Sequence, residues 1–254
     1  MPNAKLTISI DLELGWGNWD NITPFHIHNI ESKEHLIIDG ASNDNTIKIA
    51  KQSSDKNLNV FVEKDKGIYY AMNTGLSLAK GDIIGFLNSD DFYASNNVLG
   101  SVAKTFAEDP NLEACYSDLV YVSKSDTSKI IRYWKSGIFH NGSFSDGWCP
   151  PHPTFFVKKS VYEKYGNFNT NYRLASDAEL MMRFLEVKKI KVKYIPEIWV
   201  NFRIGGISNR SLKNICKQNI EVLKSLKNHK LQFNIFNFFL RKIMIKYKQF
   251  LFKP

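Results

Sequence analysis

The sequence is poor in cysteine and proline, has no long apolar run, and carries almost no acid in its last fifth. Its three cysteines, Cys115, Cys149 and Cys216, lie far apart and are odd in number. None belongs to a CxxC or Cys/His cluster of zinc spacing. A structural zinc site and a disulfide framework are therefore excluded, and a reducing compartment fits. Eight prolines and 14 glycines are too few for a collagen-like or low-complexity chain. No uncharged apolar stretch reaches the roughly 18 to 20 residues that span a bilayer. The longest candidate, Leu231 to Leu240, stops at Arg241-Lys242. At the start of the chain, Asp11 and Glu13 interrupt the only early apolar run, which does not read as a signal peptide.

The 254 residues are 43% hydrophobic and 23% charged, the balance of a globular protein large enough to bury a substantial core. The net charge of +9 is unevenly placed. From Gly205 to Pro254 there are 11 basic residues and one acid, Glu221, whereas the first 204 residues carry 23 basic and 24 acidic groups. A near-neutral body argues against nucleic acid as a partner. The basic tail predicts contact with an anionic surface.

Short apolar runs alternate with helical spacing in the first half. Lys5–Ile10, His35–Asp39, Leu58–Val62 and Asp82–Leu87 read as strands, and Thr46–Ser53, Gly67–Ala79 and Asn96–Ala107 as helices. Residues 11–34 give no clear pattern. This β-α-β alternation predicts an α/β fold with a mainly parallel sheet. Later, Ala114–Val122 and Ile130–Trp134 read as an antiparallel pair, 135–151 as a loop, and Thr154–Val157 as a strand. Lys158–Tyr165 and Ser176–Val187 read as helices. Two strand pieces flank Pro196, and Arg210–His229 has amphipathic helical spacing.

Ligands of open α/β sheets bind outside the carboxyl ends of the strands. Two acidic clusters fall there: Asp39-Gly40-Ala41-Ser42-Asn43-Asp44 and Asn88-Ser89-Asp90-Asp91. Adjacent carboxylates repel, so the second cluster fits either a hard divalent ion held together with a diphosphate or a solvated turn that caps the next helix.

These segments are recognisable. Leu36 to Thr46 resembles the first nucleotide-binding segment of family 2 glycosyltransferases, and Glu63 to Asn73 the next. Gly81 to Asp91 is similar to the family's strand and acidic motif. Pro151-His152-Pro153, Tyr165-Gly166-Asn167-Phe168 and Ala175-Ser176-Asp177-Ala178-Glu179-Leu180 resemble the acceptor side, and Arg203-Ile204-Gly205-Gly206-Ile207-Ser208 the closing motif. The resemblance covers about residues 35–210, with the segments in the family's order.

The resemblance implies a GT-A fold: a single Rossmann-like nucleotide-binding domain with a mixed central sheet over residues 1–210, followed by a basic helical extension over 211–254. It further implies an inverting transfer of a sugar, from a UDP-hexose for preference, to a glycan or polyprenyl-linked oligosaccharide. Asp39, Ser42, Asp44, Lys66, Asn73, Asp90, His152 and Arg203 would line the donor site, Asp91 would hold Mn²⁺ or Mg²⁺, and Asp177 would be the general base. Ordinary structural roles stand beside these: Asp39 as a turn residue, Ser42, Asp44 and Asp177 as helix caps, His152 as a hydrogen-bonded turn histidine, Arg203 as a surface cation. Trp134 and Trp148 are candidates to stack on sugar, or core residues.

Two departures mark the chain. The family's opening strand–turn–helix is replaced by Asp11-Leu12-Glu13-Leu14-Gly15-Trp16-Gly17, and Tyr70 stands where the family commonly has Asp. They leave open a catalytically degenerate binding protein on the same fold. In the tail, Phe236, Leu240, Ile243, Tyr247 and Phe250 share one helical face, with Arg241, Lys242, Lys246 and Lys248 alongside. Residues 231–254 are thus expected on an anionic membrane, as a peripheral protein of the cytoplasmic face of the inner membrane. Packing on the domain or in a homodimer is the alternative.

Overall fold

The computed structural model describes residues 6–12, 33–53, 55–64, 66–204 and 212–251. The unpatterned stretch 13–32, Asp65 and the Gly205-Gly206-Ile207-Ser208 end of the closing motif lie outside the described residues. The first four strands are β1 (Leu6–Leu12), β2 (Lys33–Asp39), β3 (Leu58–Val62) and β4 (Ile83–Asn88), all mutually parallel in the order β3-β2-β1-β4. Helices α1 (Thr46–Lys51) and α2 (Ile68–Leu78) connect them. β4 is buried over five successive residues, as a strand covered on both faces must be. Gly85 sits in it because a Cβ there would come within 2.3 Å of the Phe156 ring. The α2 pattern seen in sequence is its core face: Tyr69, Ala71, Met72, Gly75 and Leu76 are buried.

The sheet then becomes mixed. After β5 (Phe92–Tyr93) and α3 (Val98–Glu108) come β6 (Ala114–Val122) and β7 (Ile130–Trp134), which pair antiparallel as expected. β8 (Phe156–Lys158) runs antiparallel to both β4 and β6 and joins the halves. The two pieces around Pro196 form one strand, β9 (Val192–Arg203), parallel to β6. Its register shifts where Pro196 falls, since a residue without N–H is accommodated in a sheet by a bulge. The full order is β3-β2-β1-β4-β8-β6-β9-β5, with β7 also on β6.

Helix α4 (Lys159–Tyr165) precedes α5 (Ser176–Met182), which continues into one π-helical stretch, Arg183–Val187. The basic tail forms α6 (Leu212–Asn228) and α7 (Ile235–Leu251). Both pack on the body: Val222, Leu226 and Phe238 belong to the same buried cluster as Leu36, Phe86 and Met181.

Candidate active site

The carboxyl end of β4, β6 and β7, the N-terminal halves of α2 and α5 and the two tail helices surround one cleft of about 1090 Å³, which the expected Asp39–Asp44 turn does not line. The cleft gathers Lys66, Asp90, His152 and Asp177 with Trp134 and Trp148. That volume slightly exceeds the usual range of about 300–1,000 Å³ for a small-molecule site.

Asp177 lies in the first turn of α5 and lines the cleft. Its Oδ1 accepts a hydrogen bond from the Tyr69 hydroxyl at 3.0 Å. Tyr69 is buried; burial first, and then the charge of Asp177, push its pKa well above the ordinary value, so the phenol remains a donor. The α5 N-terminus is itself anchored by Glu221, the single acid of the tail. Its carboxylate accepts from the backbone N–H groups of Arg173, Leu174 and Ala175 at 3.1, 2.8 and 2.9 Å. A turn later, Glu179 pairs with Arg183 (3.0 Å) and His229 (2.8 Å). Arg183 also donates to the carbonyls of Tyr165, Gly166 and Asn167, which ties the loop after α4 to α5.

The two carboxylates after β4 are split. Asp90 lines the cleft, and burial raises its pKa. Asp91 is turned inward: one oxygen accepts from Asn88 Nδ2 at 2.9 Å, the other from the Arg203 backbone N–H at 3.1 Å. Burial, and then the neighbouring charge of Asp90, push the Asp91 pKa well up. Asp91, expected to hold the metal, has both oxygens hydrogen-bonded to the chain, while Asp90 is the carboxylate that lines the cleft. The pair still fits a hard divalent cation. A buried carboxylate and a half-buried one that repel each other would be relieved by one. No group of three His, Cys, Asp or Glu is poised for a metal among the described residues, so the remaining ligands would be phosphate oxygens and water.

The other expected donor residues divide. Asp39 is fully buried, and both its oxygens are taken by Ser42, from the backbone N–H at 2.7 Å and the hydroxyl at 2.6 Å. That turn puts Ala41 at φ 71°. Asp44 accepts from the Thr46 N–H at 2.9 Å just ahead of α1, and hydrogen bonding by Thr46, first from its side chain and then from its backbone, lowers the Asp44 pKa. Asp39, Ser42 and Asp44 thus make the local turn-and-cap bonds that compete with the nucleotide role. Asn73 is engaged within the fold: its amide donates to the Phe168 carbonyl at 2.9 Å and accepts from the Phe168 N–H at 3.0 Å, bracing α2 against the loop after α4. Lys66 is exposed at the cleft edge. His152 is buried, stacked on Phe86 at 5.6 Å, and burial lowers its pKa, leaving a neutral imidazole in the cleft wall. The Arg203 guanidinium rests over the Phe92 ring at 5.0 Å and acts electrostatically on both Asp90 and Asp91. Trp148 donates from Nε1 to the Ser136 carbonyl at 2.6 Å, and Trp134 stacks on Tyr121.

A sequence profile described as "Glycosyl transferase family 2" matches residues 26–166. The chain belongs to this family. It is 26% identical over 180 residues to a PGL/p-HBAD biosynthesis glycosyltransferase of Mycobacterium bovis (strain BCG / Pasteur 1173P2), covering 69% of this chain and 68% of that relative. It is 27% identical over 187 residues to the chondroitin synthase of Pasteurella multocida (strain Pm70), covering 73% of this chain and 19% of that one. Among solved structures it is similar to S. aureus TarS 1-349 in complex with UDP, with a TM-score of 0.63 at 14% identity over 98% of this chain and 72% of that one. It is also similar to the mannosyltransferase PcManGT from Pyrobaculum calidifontis in complex with GDP-Man and Mn²⁺, with a TM-score of 0.62 at 17% identity, over 98% and 70%. The fold is GT-A, and the protein is a family 2 glycosyltransferase.

Sequence reasoning missed three groups that shape this site: Tyr69, Glu221 and the cleft-facing side of α7. Tyr69 had a signal, since it shares the helical face of Ala71 and Met72 yet carries a hydroxyl that must find a partner when buried. Glu221, alone among 11 cations, was the other signal. The inner side of α7 comprises Lys242, Ile245, Lys246 and Gln249, which line the cleft. The outer side is the apolar face seen in sequence: Phe236, Ile243 and Tyr247 are 73%, 66% and 63% exposed. The charge expected beside that face is largely elsewhere, with Arg241 paired to Asp146 at 2.7 Å and Lys242 turned into the cleft. No described helix is long and apolar enough to cross a membrane.

Proposed function

We propose that the protein transfers a hexose-type unit, with inversion, from a UDP-sugar to a hydroxyl of a glycan or lipid-linked oligosaccharide in glycan biosynthesis. The observation that carries this reading is the shared cleft of Asp177 and Asp90, with Asp177 oriented by Tyr69. In the reaction the acceptor oxygen attacks the anomeric carbon. Its proton passes to an Asp177 oxygen, and the anomeric C–O bond breaks with its electron pair going to the leaving nucleoside diphosphate. Asp177 accepts the proton and Tyr69 holds the carboxylate in place. Neutral His152 and the two tryptophans wall the sugar. Asp90, with Asp91 behind it, would hold Mn²⁺ or Mg²⁺, which neutralises charge on the diphosphate when bound. UDP rather than GDP is favoured by the TarS complex, and the PcManGT complex makes GDP the competitor. The exposed apolar face of α7 supports a peripheral seat on the cytoplasmic membrane, near a lipid-linked acceptor.

The test is calorimetric titration with UDP, GDP and CMP, each with Mn²⁺ and with EDTA, on the wild type, Asp90→Ala and Asp177→Asn, followed by turnover with the sugar form of the nucleotide that binds. The expected result is Mn²⁺-dependent binding of UDP, lost in Asp90→Ala. Asp177→Asn should bind the nucleotide normally but turn over at least roughly 100-fold more slowly, the lower range for a general base. Full turnover in Asp177→Asn would refute the base assignment. Failure of every nucleotide to bind would favour a degenerate binding protein, the reading that Tyr70, exposed in the cleft wall where the family carries a carboxylate, also motivates.

A further inference from the structure

The part of the cleft wall that carries Trp148 and His152 is one segment, residues 136–154, and both its ends are tied to the same two residues of β6. Ser117 and Asp118 lie where β6 slips register against β9, an irregularity that re-aims the groups it displaces. Both are fully buried. The Asp118 carboxylate takes three donors from three places. Its Oδ2 accepts from the Tyr133 hydroxyl of β7 at 2.5 Å. Its Oδ1 accepts from the Ser136 backbone N–H at 2.7 Å and from the Tyr194 hydroxyl of β9 at 2.9 Å. No lysine, arginine or histidine among the described residues pairs with it. Burial first, and then the hydrogen bond to Asp118, raise the pKa of both tyrosines, so both phenols remain donors. The Ser117 carbonyl accepts from the Ser136 hydroxyl at 2.6 Å and from the Thr154 hydroxyl at 2.9 Å. Ser136 and Thr154 are themselves buried, so the segment is rooted in the core at each end.

From Ser136 the network reaches the cleft in one step. The Ser136 carbonyl accepts from Trp148 Nε1 at 2.6 Å, and Trp148 lines the cleft. The Tyr116 hydroxyl holds the next carbonyl, that of Gly137, at 2.8 Å, and the Tyr116 and Phe144 rings meet the indole edge to face. An indole has a single donor, so its one polar anchor is Ser136, and Ser136 is placed by Asp118 and Ser117. A buried carboxylate without a cation is costly unless its lone pairs are met. Here it only accepts, and three donors converge on it, which leaves one arrangement. An amide of the same shape both donates and accepts and would permit others. Asp118 does not line the cleft itself, so it reaches a ligand only through what it holds. We infer that Asp118 is a positioning residue for the transfer: through Ser136 it fixes the plane of the Trp148 indole, and with it the face that the cleft offers to the sugar ring. That Trp148 meets the sugar rests on the transfer reading above. The clamp on the indole does not.

Asp118→Asn keeps the volume and turns one acceptor oxygen into a donor. The indole N–H resonances of Trp148 and Trp199 are followed by NMR in the full chain, each assigned by its loss in Trp148→Phe or Trp199→Phe. Trp199 is the internal reference: its Nε1 donates to Glu197 at 2.9 Å, and it is buried against Phe156, outside this network. The expected result is a displaced Trp148 resonance whose solvent exchange speeds up roughly 10-fold or more relative to that of Trp199, as an unmatched buried donor implies. Calorimetry with Mn²⁺ is the functional arm. Its probes are UDP and whichever of UDP-glucose, UDP-galactose and UDP-N-acetylglucosamine the wild type binds most tightly. In Asp118→Asn the affinity for UDP should stay within about 2-fold and that for the UDP-sugar should fall roughly 5-fold, the worth of one aromatic contact. General loosening of the fold would instead move both indoles, or both ligands, together. Ser136→Ala removes only the hydroxyl bond to Ser117, should displace the same resonance, and keeps the test valid if Asp118→Asn fails to fold. Equal acceleration of both indoles, an unmoved Trp148 resonance, an unchanged UDP-sugar affinity or parallel loss of UDP affinity would overturn the inference. Absence of nucleotide binding in the wild type, alongside a selective change at Trp148, would overturn the transfer reading and leave Asp118 as the residue that positions this wall.

Discussion

Replacing Gly147 with alanine should undock α7 from the cleft. Gly147 has φ +75°, and a Cβ on it would lie 2.8 Å from the Phe238 carbonyl oxygen and 2.9 Å from Lys242 Cβ. Both atoms belong to or sit directly on the α7 backbone, so no rotamer change relieves the overlap. Restoring ordinary contact at about 3.5 Å requires the helix to retreat by roughly 0.6–0.7 Å, a gap that forfeits about a quarter to a half of the dispersion attraction across it. Phe238, fully buried, is the residue most affected. Its burial contributes about 1.5–3 kcal/mol, of which the gap removes roughly 0.5–1.5 kcal/mol. The left-handed backbone adds about 1–2 kcal/mol for any side chain. The expected loss is therefore about 1.5–3.5 kcal/mol, or a fall in Tm of roughly 3–14 °C for a chain of this size. Gly137→Ala is the control: its φ is +72°, and nothing lies within 4 Å of its Cβ position, so it carries the backbone cost alone. Hydrogen exchange decides the matter. Amides of 236–250 should lose protection in Gly147→Ala and keep it in Gly137→Ala, and transfer to acceptor should drop while UDP binding holds. Equal Tm losses with unchanged α7 protection would refute the idea that this glycine seats the helix.

Glu221→Ala leaves three backbone N–H groups of the 173–175 segment without their acceptor, a loss of about 1.5–3 kcal/mol. It should lower kcat more than donor affinity, with faster exchange at 173–177, and unchanged kcat would deny it a positioning role. His152 gives a pH signature. Burial holds its native pKa below the ordinary value, with the charge of Asp177 opposing more weakly. As pH falls below about 6.5, the unfolded chain takes up a proton that native His152 resists, so stability drops by up to about 1.4 kcal/mol per pH unit until the native pKa is reached. His152→Gln should flatten that limb in denaturant titrations at successive pH values, and an unchanged slope would assign the acid sensitivity to other groups.

Much of the parallel half was legible because each strand there is a short apolar run that ends in a turn residue, and each helix shows its buried face at 3/4 spacing. The strand at His35–Asp39 and the helix around Ala71-Met72 differ from the structure by only one or two residues at their ends. What failed to show was pairing. Nothing in Phe92–Tyr93 announces a two-residue strand, because its existence depends on Asn201 and Val200 lying opposite. Pro196 looked like a break for a sound local reason, the missing N–H, yet β6 absorbs it with a register shift that only a partner strand can supply.

The tail shows the same limit in a form that bears on function. Helical spacing identified the apolar face, and that face is exposed. It did not say what the other face does, because amphipathicity gives the direction of one surface and not the partner of its opposite. The cations counted beside the apolar face led to an anionic membrane. In the fold, Lys242 and Lys246 line the same cleft as Asp177 and Arg132, and Arg241 pairs with Asp146. One helix thus presents an apolar surface outward and Lys242, Ile245, Lys246 and Gln249 to the cleft.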